Sequence, residues 1–237
     1  KAVGRFIQFY DSDDSIPDGA LSAIASAIRQ YNNDVFVFGW QIDLQSPQGL
    51  VKNYKQIAPQ QKVVTERMTE YILRSLGSSG TLYNLWNKLF RADIIRENNL
   101  RFREDLRFGE DVLFSLEYFK HIHSLAIIPD ITYHYLTNSK TSVFASSSIN
   151  PEYRIANDEA VVSFVEHPNA VEYDLLQWLR WRWLMSYWSF VAASHNPSNK
   201  KRQLIRRFSA VDIPLIKTPR YIGLKKFVLQ AVAYVIR

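Results

Sequence analysis

Three carboxylates fall within four residues at Asp11, Asp13 and Asp14, directly after the apolar run Arg5-Phe6-Ile7-Gln8-Phe9-Tyr10. Like charges this close repel one another, and a bound cation is the simplest compensation. Carboxylates one residue apart can face the same divalent ion, and an all-oxygen donor set suits Mg²⁺ or Mn²⁺ rather than zinc. Asp, Ser and Pro are also ordinary turn formers, so a plain acidic turn accounts for the same residues equally well. A second pair, Glu110-Asp111, follows Gly109 and opens a helical pattern with Val112, Leu113, Leu116, Phe119 and Ile122 apolar. Carboxylates in a first helical turn are stabilised by unpaired backbone N–H groups and the helix dipole, which is the simpler explanation. The chemical alternative is a general base, an aspartate fixed by the helix terminus that accepts a proton from a hydroxyl.

Other reactive groups carry less. His134 alternates with Tyr133 and Tyr135 in a strand pattern and so faces away from both. A packed or surface histidine is its ordinary reading, and a third metal or diphosphate ligand the alternative. His121 and His123 fall at a helix end, and His167 and His195 in turns. There is no cysteine, which excludes a disulfide framework, a thiolate zinc site and a cysteine nucleophile. No Gly-rich phosphate loop and no Gly-x-Ser-x-Gly elbow is present.

These residues need elements to hold them. Residues 5–10 read as a buried strand that ends at the acidic cluster. Leu21, Ile24, Ala25 and Ile28 recur at helical spacing up to Tyr31, and Asp34 to Trp40 forms a second buried strand. Strand, helix and strand in succession predict an α/β sheet. Residues 44–60 read as a surface excursion of hairpin type, and Thr65 to Leu76 as a helix ending at Gly77-Ser78-Ser79-Gly80. A short helix follows from Ala92 to Glu97. Ala126 to Pro129 and Ile131 to Tyr135 read as two short strands around a Pro-Asp turn. The serine-rich stretch 138–150 is the best domain boundary, and beyond it the pattern is helical over 151–166, 170–194, 198–208 and 221–236. The expected organisation is an α/β domain over 1–148 and a helical, basic unit over 149–237.

Charge separates along the same line. Residues 1–150 balance 16 basic against 16 acidic side chains, whereas 175–237 carries 12 basic residues against Asp212 alone. Four of the six tryptophans, Trp178, Trp181, Trp183 and Trp188, lie near the start of that basic end. Hydrophobic residues make up 47% of the 237, which excludes a disordered chain. No apolar run is long enough to span a bilayer.

At the level of motifs, the chain resembles the middle and C-terminal part of a family 2 glycosyltransferase of the GT-A fold. The residues that carry the resemblance are Gly4-Arg5-Phe6-Ile7 leading to Asp11-Ser12-Asp13-Asp14, then Trp86-Asn87-Lys88-Leu89-Phe90-Arg91. Leu100-Arg101-Phe102, Gly109-Glu110-Asp111-Val112-Leu113-Phe114 and Tyr133-x-Tyr135 with Ser139 and Ser142 follow in order. The resemblance covers roughly residues 1–145. It implies a partial GT-A, Rossmann-like mixed sheet and an inverting, metal-dependent transfer of sugar from a nucleotide-sugar donor to a hydroxyl. Asp13, with Asp11, would hold Mn²⁺ or Mg²⁺, and Asp11, Asp13 and Asp14 would form the donor side. Asp111 would be the base and Glu110 would position acceptor or base, with Trp86, Asn87 and Lys88 on the acceptor side. In that family a further nucleotide-binding segment precedes the Asp-x-Asp strand. Residues 1–237 alone are therefore expected to lack most base and ribose contacts and to show no turnover.

The chief rival for the acidic segment is a haloacid-dehalogenase-type phosphatase, with Asp11 as nucleophile and Asp13 as acid/base. It leaves the Trp86-Asn87-Lys88 and Gly109-Glu110-Asp111 blocks unexplained. For the basic end, one reading is helices packed on the catalytic core with solvated charges. Another is docking on an anionic membrane surface, since Leu224, Phe227, Val228, Ala231, Val232 and Val235 form an apolar face beside Lys225 and Lys226. Such docking would suit a lipid-linked or glycan acceptor in bacterial surface polysaccharide synthesis. The expected location is then cytoplasmic, at the inner face of the membrane. A homodimer through these helices is a further alternative. A non-enzymatic basic module binding nucleic acid is disfavoured, because the aromatics sit in apolar helices rather than on a strand platform.

Overall fold

The computed structural model describes residues 2–46, 49–58, 60–78, 81–106, 109–138 and 151–193, with single positions at 199 and 203. The strands are β1 (Phe6–Ile7), β2 (Val35–Ser46), β3 (Gly49–Gln56), β4 (Lys62–Val64), β5 (Lys88–Arg91) and β6 (Leu125–Asn138). The helices are α1 (Ala20–Gln30), α2 (Met68–Ser78), α3 (Ala92–Glu97), α4 (Glu110–Phe119), α5 (Pro151–Phe164) and α6 (Ala170–Ala193). The strands form one mixed sheet in the order β1-β5-β2-β6-β4, with β3 hairpinned onto β2. Only β2 and β6 run parallel; every other pairing is antiparallel.

The composition of β2 explains its central place. Val35-Phe36-Val37-Phe38 is apolar on both faces and wholly buried, as a strand sandwiched between helix layers must be. Phe36, Phe38, Ala126 and Ile128 pack with Ile24 and Ala27 of α1 on one face. Val35, Val37, Leu125 and Ile127 join residues of α2, α4, α5 and α6 on the other. At the start of β2, Asp34 ties three segments together. Its carboxylate accepts from the backbone N–H of His123 (2.8 Å) and of Ser124 (3.0 Å) and pairs with Arg91 (3.1 Å).

Two sequence expectations need correction. The opening segment is not a buried strand over 5–10. Only Phe6 and Ile7 pair with β5, at the sheet edge and half-buried. Phe9 leaves the sheet to sit edge-on against Phe90, Phe102 and Phe114, so the aromatic character of the run serves a cluster beside the sheet. Nor is there a turn between two strands at Pro129-Asp130. β6 is continuous, and these two residues are a bulge, since Phe38 pairs with Ile128 and Gly39 pairs next with Ile131. A bulge accommodates a proline that cannot donate to the ladder. Gly39 is its counterpart, because a Cβ there would lie 2.8 Å from the Pro129 carbonyl oxygen.

The predicted hairpin is β2–β3, paired from Trp40↔Gln56 to Ser46↔Gly49. The helices expected at 151–166 and 170–194 are α5 and α6, and they share one core with the sheet. The boundary stretch from 139 to 150 and the helices expected at 198–208 and 221–236 lie outside the described residues, apart from 199 and 203. No helix among the described residues is long and apolar enough to cross a membrane.

α6 is seated on α2 by shape. The Trp178 ring lies where a Cβ on Gly77 would be, so only glycine allows the approach. Leu175, Leu176, Leu179 and Trp183 continue the contact into the cluster of Ile72, Leu73 and Leu76. Gly77→Ala is therefore expected to destabilise the chain by about 1–3 kcal/mol, the range for overpacking a filled contact. Urea unfolding followed by circular dichroism measures this, and an unchanged midpoint would show that α6 does not rest on Gly77.

Candidate active site

The acidic segment is docked onto β6 rather than left as a free loop. Ser15 and His134 exchange two backbone hydrogen bonds, at 3.1 and 2.9 Å. The Tyr133 hydroxyl donates to Asp14 Oδ2 (2.5 Å) and accepts from the Asp11 N–H (3.2 Å). The backbone N–H of Leu136 donates to Asp14 Oδ1 (2.7 Å). Asp14 is thus committed on both oxygens to holding the segment, while Asp11 and Asp13 stand exposed at the surface. Shielding from water, then the neighbouring carboxylates of Asp14, Asp13 and Glu110, raises the Asp11 carboxyl above its ordinary range.

Tyr133 can hold this position because aromatic packing fixes its ring. It is completely buried and stacks on Trp86 with ring centroids 4.4 Å apart. Trp86 also stacks on Tyr135 and meets Trp40 edge-on, and Tyr10 lies parallel to Tyr133 on the acidic side. Period-two spacing puts Tyr133 and Tyr135 on one face of β6, where one indole covers both.

The second carboxylate pair reaches the same place from α4. Gly109 precedes the helix with φ +85°, and a Cβ there would lie 2.8 Å from Asn157 Oδ1 of α5. Both the left-handed backbone and the close approach call for glycine. Asp111 follows in the first turn and accepts a hydrogen bond from the Leu85 N–H. Burial pushes its carboxyl up to about 7; Glu110 and Asp11 add to the rise, and Lys88 opposes it. Two segments a hundred residues apart in sequence therefore share one electrostatic site.

Lys88 lies behind that site with no exposed surface. Its Nζ donates to the carbonyl of Asn84, to Asn87 Oδ1 (3.1 Å) and to the carbonyl of Thr81 (3.4 Å). Asn87 is equally buried, and its amide donates to the Thr81 carbonyl (3.1 Å). This corrects the placement of Trp86, Asn87 and Lys88 on the acceptor side. Trp86 is 7% exposed and the other two are fully buried, so they support the site from within. Their burial follows from position: Trp86 and Asn87 close the turn that leads into β5, a strand flanked by β1 and β2.

His134 joins the acidic segment through its main chain, whereas its imidazole Nδ1 lies 3.4 Å from Asp43 Oδ2. Among the described residues no three His, Asp or Glu side chains are gathered as a metal site, so His134 does not complete one with Asp11 and Asp13. A pair of exposed carboxylates nevertheless fits the usual manner of holding Mg²⁺ or Mn²⁺, through one or two protein oxygens with the rest from substrate phosphates and water. Asn157 and the Leu85 N–H were not foreseen from sequence. A helical asparagine and a backbone amide carry no signal until the chain is folded.

The fold, a mixed α/β sheet with helices on both faces, is that of a solved bacterial enzyme domain. Staphylococcus aureus TarS 1–349 in complex with UDP-GlcNAc matches over 86% of this chain and 61% of that one, with a TM-score of 0.54 at 18% identity. In sequence, the chain is 25% identical over 153 residues to poly(ribitol-phosphate) beta-N-acetylglucosaminyltransferase TarS of S. aureus strain MW2. That alignment covers 64% of this chain and 24% of the relative. It is 24% identical over 222 residues to the glycosyltransferase EpsJ of Bacillus subtilis strain 168, covering 90% of this chain and 62% of that protein. The chain thus spans about a quarter of the length of TarS. No family model matches.

If Tyr133 is the clasp of the acidic segment, Tyr133→Phe should cost about 1.5–3 kcal/mol, the usual worth of a hydrogen bond to a charged group. Urea unfolding at pH 7 measures the loss. A cost no larger than that of Tyr135→Phe would remove Tyr133 from this role.

Proposed function

We propose that the chain is the acceptor-side and metal-side part of an inverting GT-A glycosyltransferase that moves a sugar from a nucleotide-sugar donor to a hydroxyl. The observation that carries the reading is the convergence of Asp11 and Asp13 with Asp111, whose carboxyl is poised at about 7. A base with a pKa near the working pH is both available and strong enough to take a proton from an attacking hydroxyl. Asp111 accepts the acceptor's proton, its oxygen attacks the anomeric carbon from the face opposite the diphosphate, and the configuration inverts. Glu110, in the same helical turn, orients the acceptor. Asp13 and Asp11 would hold Mn²⁺ or Mg²⁺ shared with the diphosphate, whose developing charge the cation neutralises.

The relatives support the substrate class. Both are named as glycosyltransferases, one acting on a poly(ribitol-phosphate), and the TarS structure was solved with UDP-GlcNAc. A UDP-linked sugar is accordingly the proposed donor and a bacterial surface polymer the proposed acceptor, met at the inner face of the membrane. The phosphatase alternative is weakened by β1, a two-residue strand at the sheet edge rather than a buried central strand presenting Asp11.

In the intact enzyme, Asp111→Asn should lower the rate of transfer at least a hundredfold while UDP-sugar binding stays within about threefold. Because burial raises this carboxyl to about 7, the base is lost as pH falls through that value. kcat/KM should drop about tenfold per pH unit below it and level off above. An active Asp111→Asn enzyme, or a flat profile between pH 5.5 and 8, would remove Asp111 from the reaction.

A further inference from the structure

We infer that Lys88 is a positioning residue for Asp111: its buried ammonium gathers the 81–87 turn from behind, and that turn presents the Leu85 N–H to the carboxylate. The inference rests on the reading of Asp111 as the base.

The geometry is that of a clamp. An ammonium has three protons, and three oxygens receive them: the Thr81 and Asn84 carbonyls and Asn87 Oδ1. Asn87 repeats the arrangement, donating to the Thr81 carbonyl and, at 3.5 Å, to the Phe38 carbonyl of β2. The Phe38 N–H in turn donates to the Asn87 carbonyl (2.9 Å). Carbonyl oxygens of the turn thus converge on Lys88, while the Leu85 amide is free to face Asp111. The turn is fixed at both ends by fully buried side chains, so the Leu85 N–H has one place to point.

The charge matters as well as the shape. A fully buried ammonium without a nearby anion would be costly. The charged groups that act on Asp111 are Glu110 on α4, Asp11 on the acidic segment and Lys88 on β5. Two of the three are acidic, and Lys88 is the cation among them. A methionine fills the volume of a lysine stem but supplies neither the three donors nor the charge. Replacing Lys88 by methionine would free the turn and leave Asp111 facing like charges alone.

The test is a double-mutant cycle on the full chain with Lys88→Met, Asp111→Asn and the pair, read as urea midpoints at pH 8. Coupling through charge and turn predicts that the double variant unfolds at higher urea than the two single shifts added together. Strict additivity would overturn the inference, since a lysine that only fills space has no reason to register residue 111. If Lys88→Met alone does not fold, the double variant should recover folding, and its failure to do so would also overturn the inference. In the intact enzyme, Lys88→Met should lower kcat tenfold or more with donor KM within about twofold, as a loss confined to the reacting end requires. An equal loss in both would overturn it. The base reading stands or falls separately on Asp111→Asn, so a dead Asp111→Asn enzyme with an additive cycle would sink Lys88 and leave the base in place.

Discussion

A cation with no exposed surface constrains everything around it. Lys88 must find an acceptor for each of its protons and a counter-charge within reach, or the fold loses several kcal/mol. Two backbone carbonyls and the Asn87 amide oxygen supply the acceptors, and Asp111 supplies the charge. Burial draws the ammonium down toward about 7 while Asp111 resists that fall, and the same burial draws Asp111 up to about 7. Lysine and aspartate are therefore held near the point where each can exchange a proton close to neutral pH. β5 is four residues long, yet through Lys88 it sets the turn before it and the helix terminus facing it.

The acidic side of the site is built by the opposite logic. There the charges are alike, and the structure disposes of one to keep the others. Asp14 is satisfied by Tyr133 and Leu136, which anchors the segment and leaves Asp11 and Asp13 exposed. The anchoring tyrosine is held by the same aromatic group that includes Trp86, whose next two neighbours in sequence are Asn87 and Lys88. A mechanical path of packed rings and hydrogen bonds thus joins the acidic segment to the turn behind Asp111. This is why residues that contact no substrate can still carry motif character.

Much of this was legible in the sequence, because chemistry and periodicity both leave marks. The run Val35 to Phe38 announced a doubly covered strand, and Gly109 before Glu110-Asp111 announced a helix start with carboxylates in its first turn. The acidic triplet announced a site. What could not be read was depth. Trp86-Asn87-Lys88 has the composition of an exposed polar motif, and only the placement of β5 between β1 and β2 shows that its amide and ammonium face inward. The Pro129-Asp130 bulge was hidden for a similar reason. Proline and aspartate signal a turn locally, and the parallel neighbour that keeps the strand straight is ninety residues away in sequence. Its trace was Gly39, a glycine within a strand of bulky residues.

The basic end changes meaning once its described part is seen. Arg180 is buried and bidentate to Asp158, with N–O distances of 2.8 and 2.7 Å, and so joins α6 to α5. Arg182 lies over the Trp178 ring, and Trp183 donates its indole N–H to Tyr83, next to the turn that holds Lys88. Two cations and two tryptophans that sequence alone could assign to a membrane or a nucleic acid are thus spent on packing. Removing a buried bidentate arginine would leave Asp158 uncompensated, so these charges belong to the stability of the core. The helices that follow the sheet act as its far wall. Asn157 against Gly109 shows how closely that wall is fitted to the loop that carries Glu110 and Asp111.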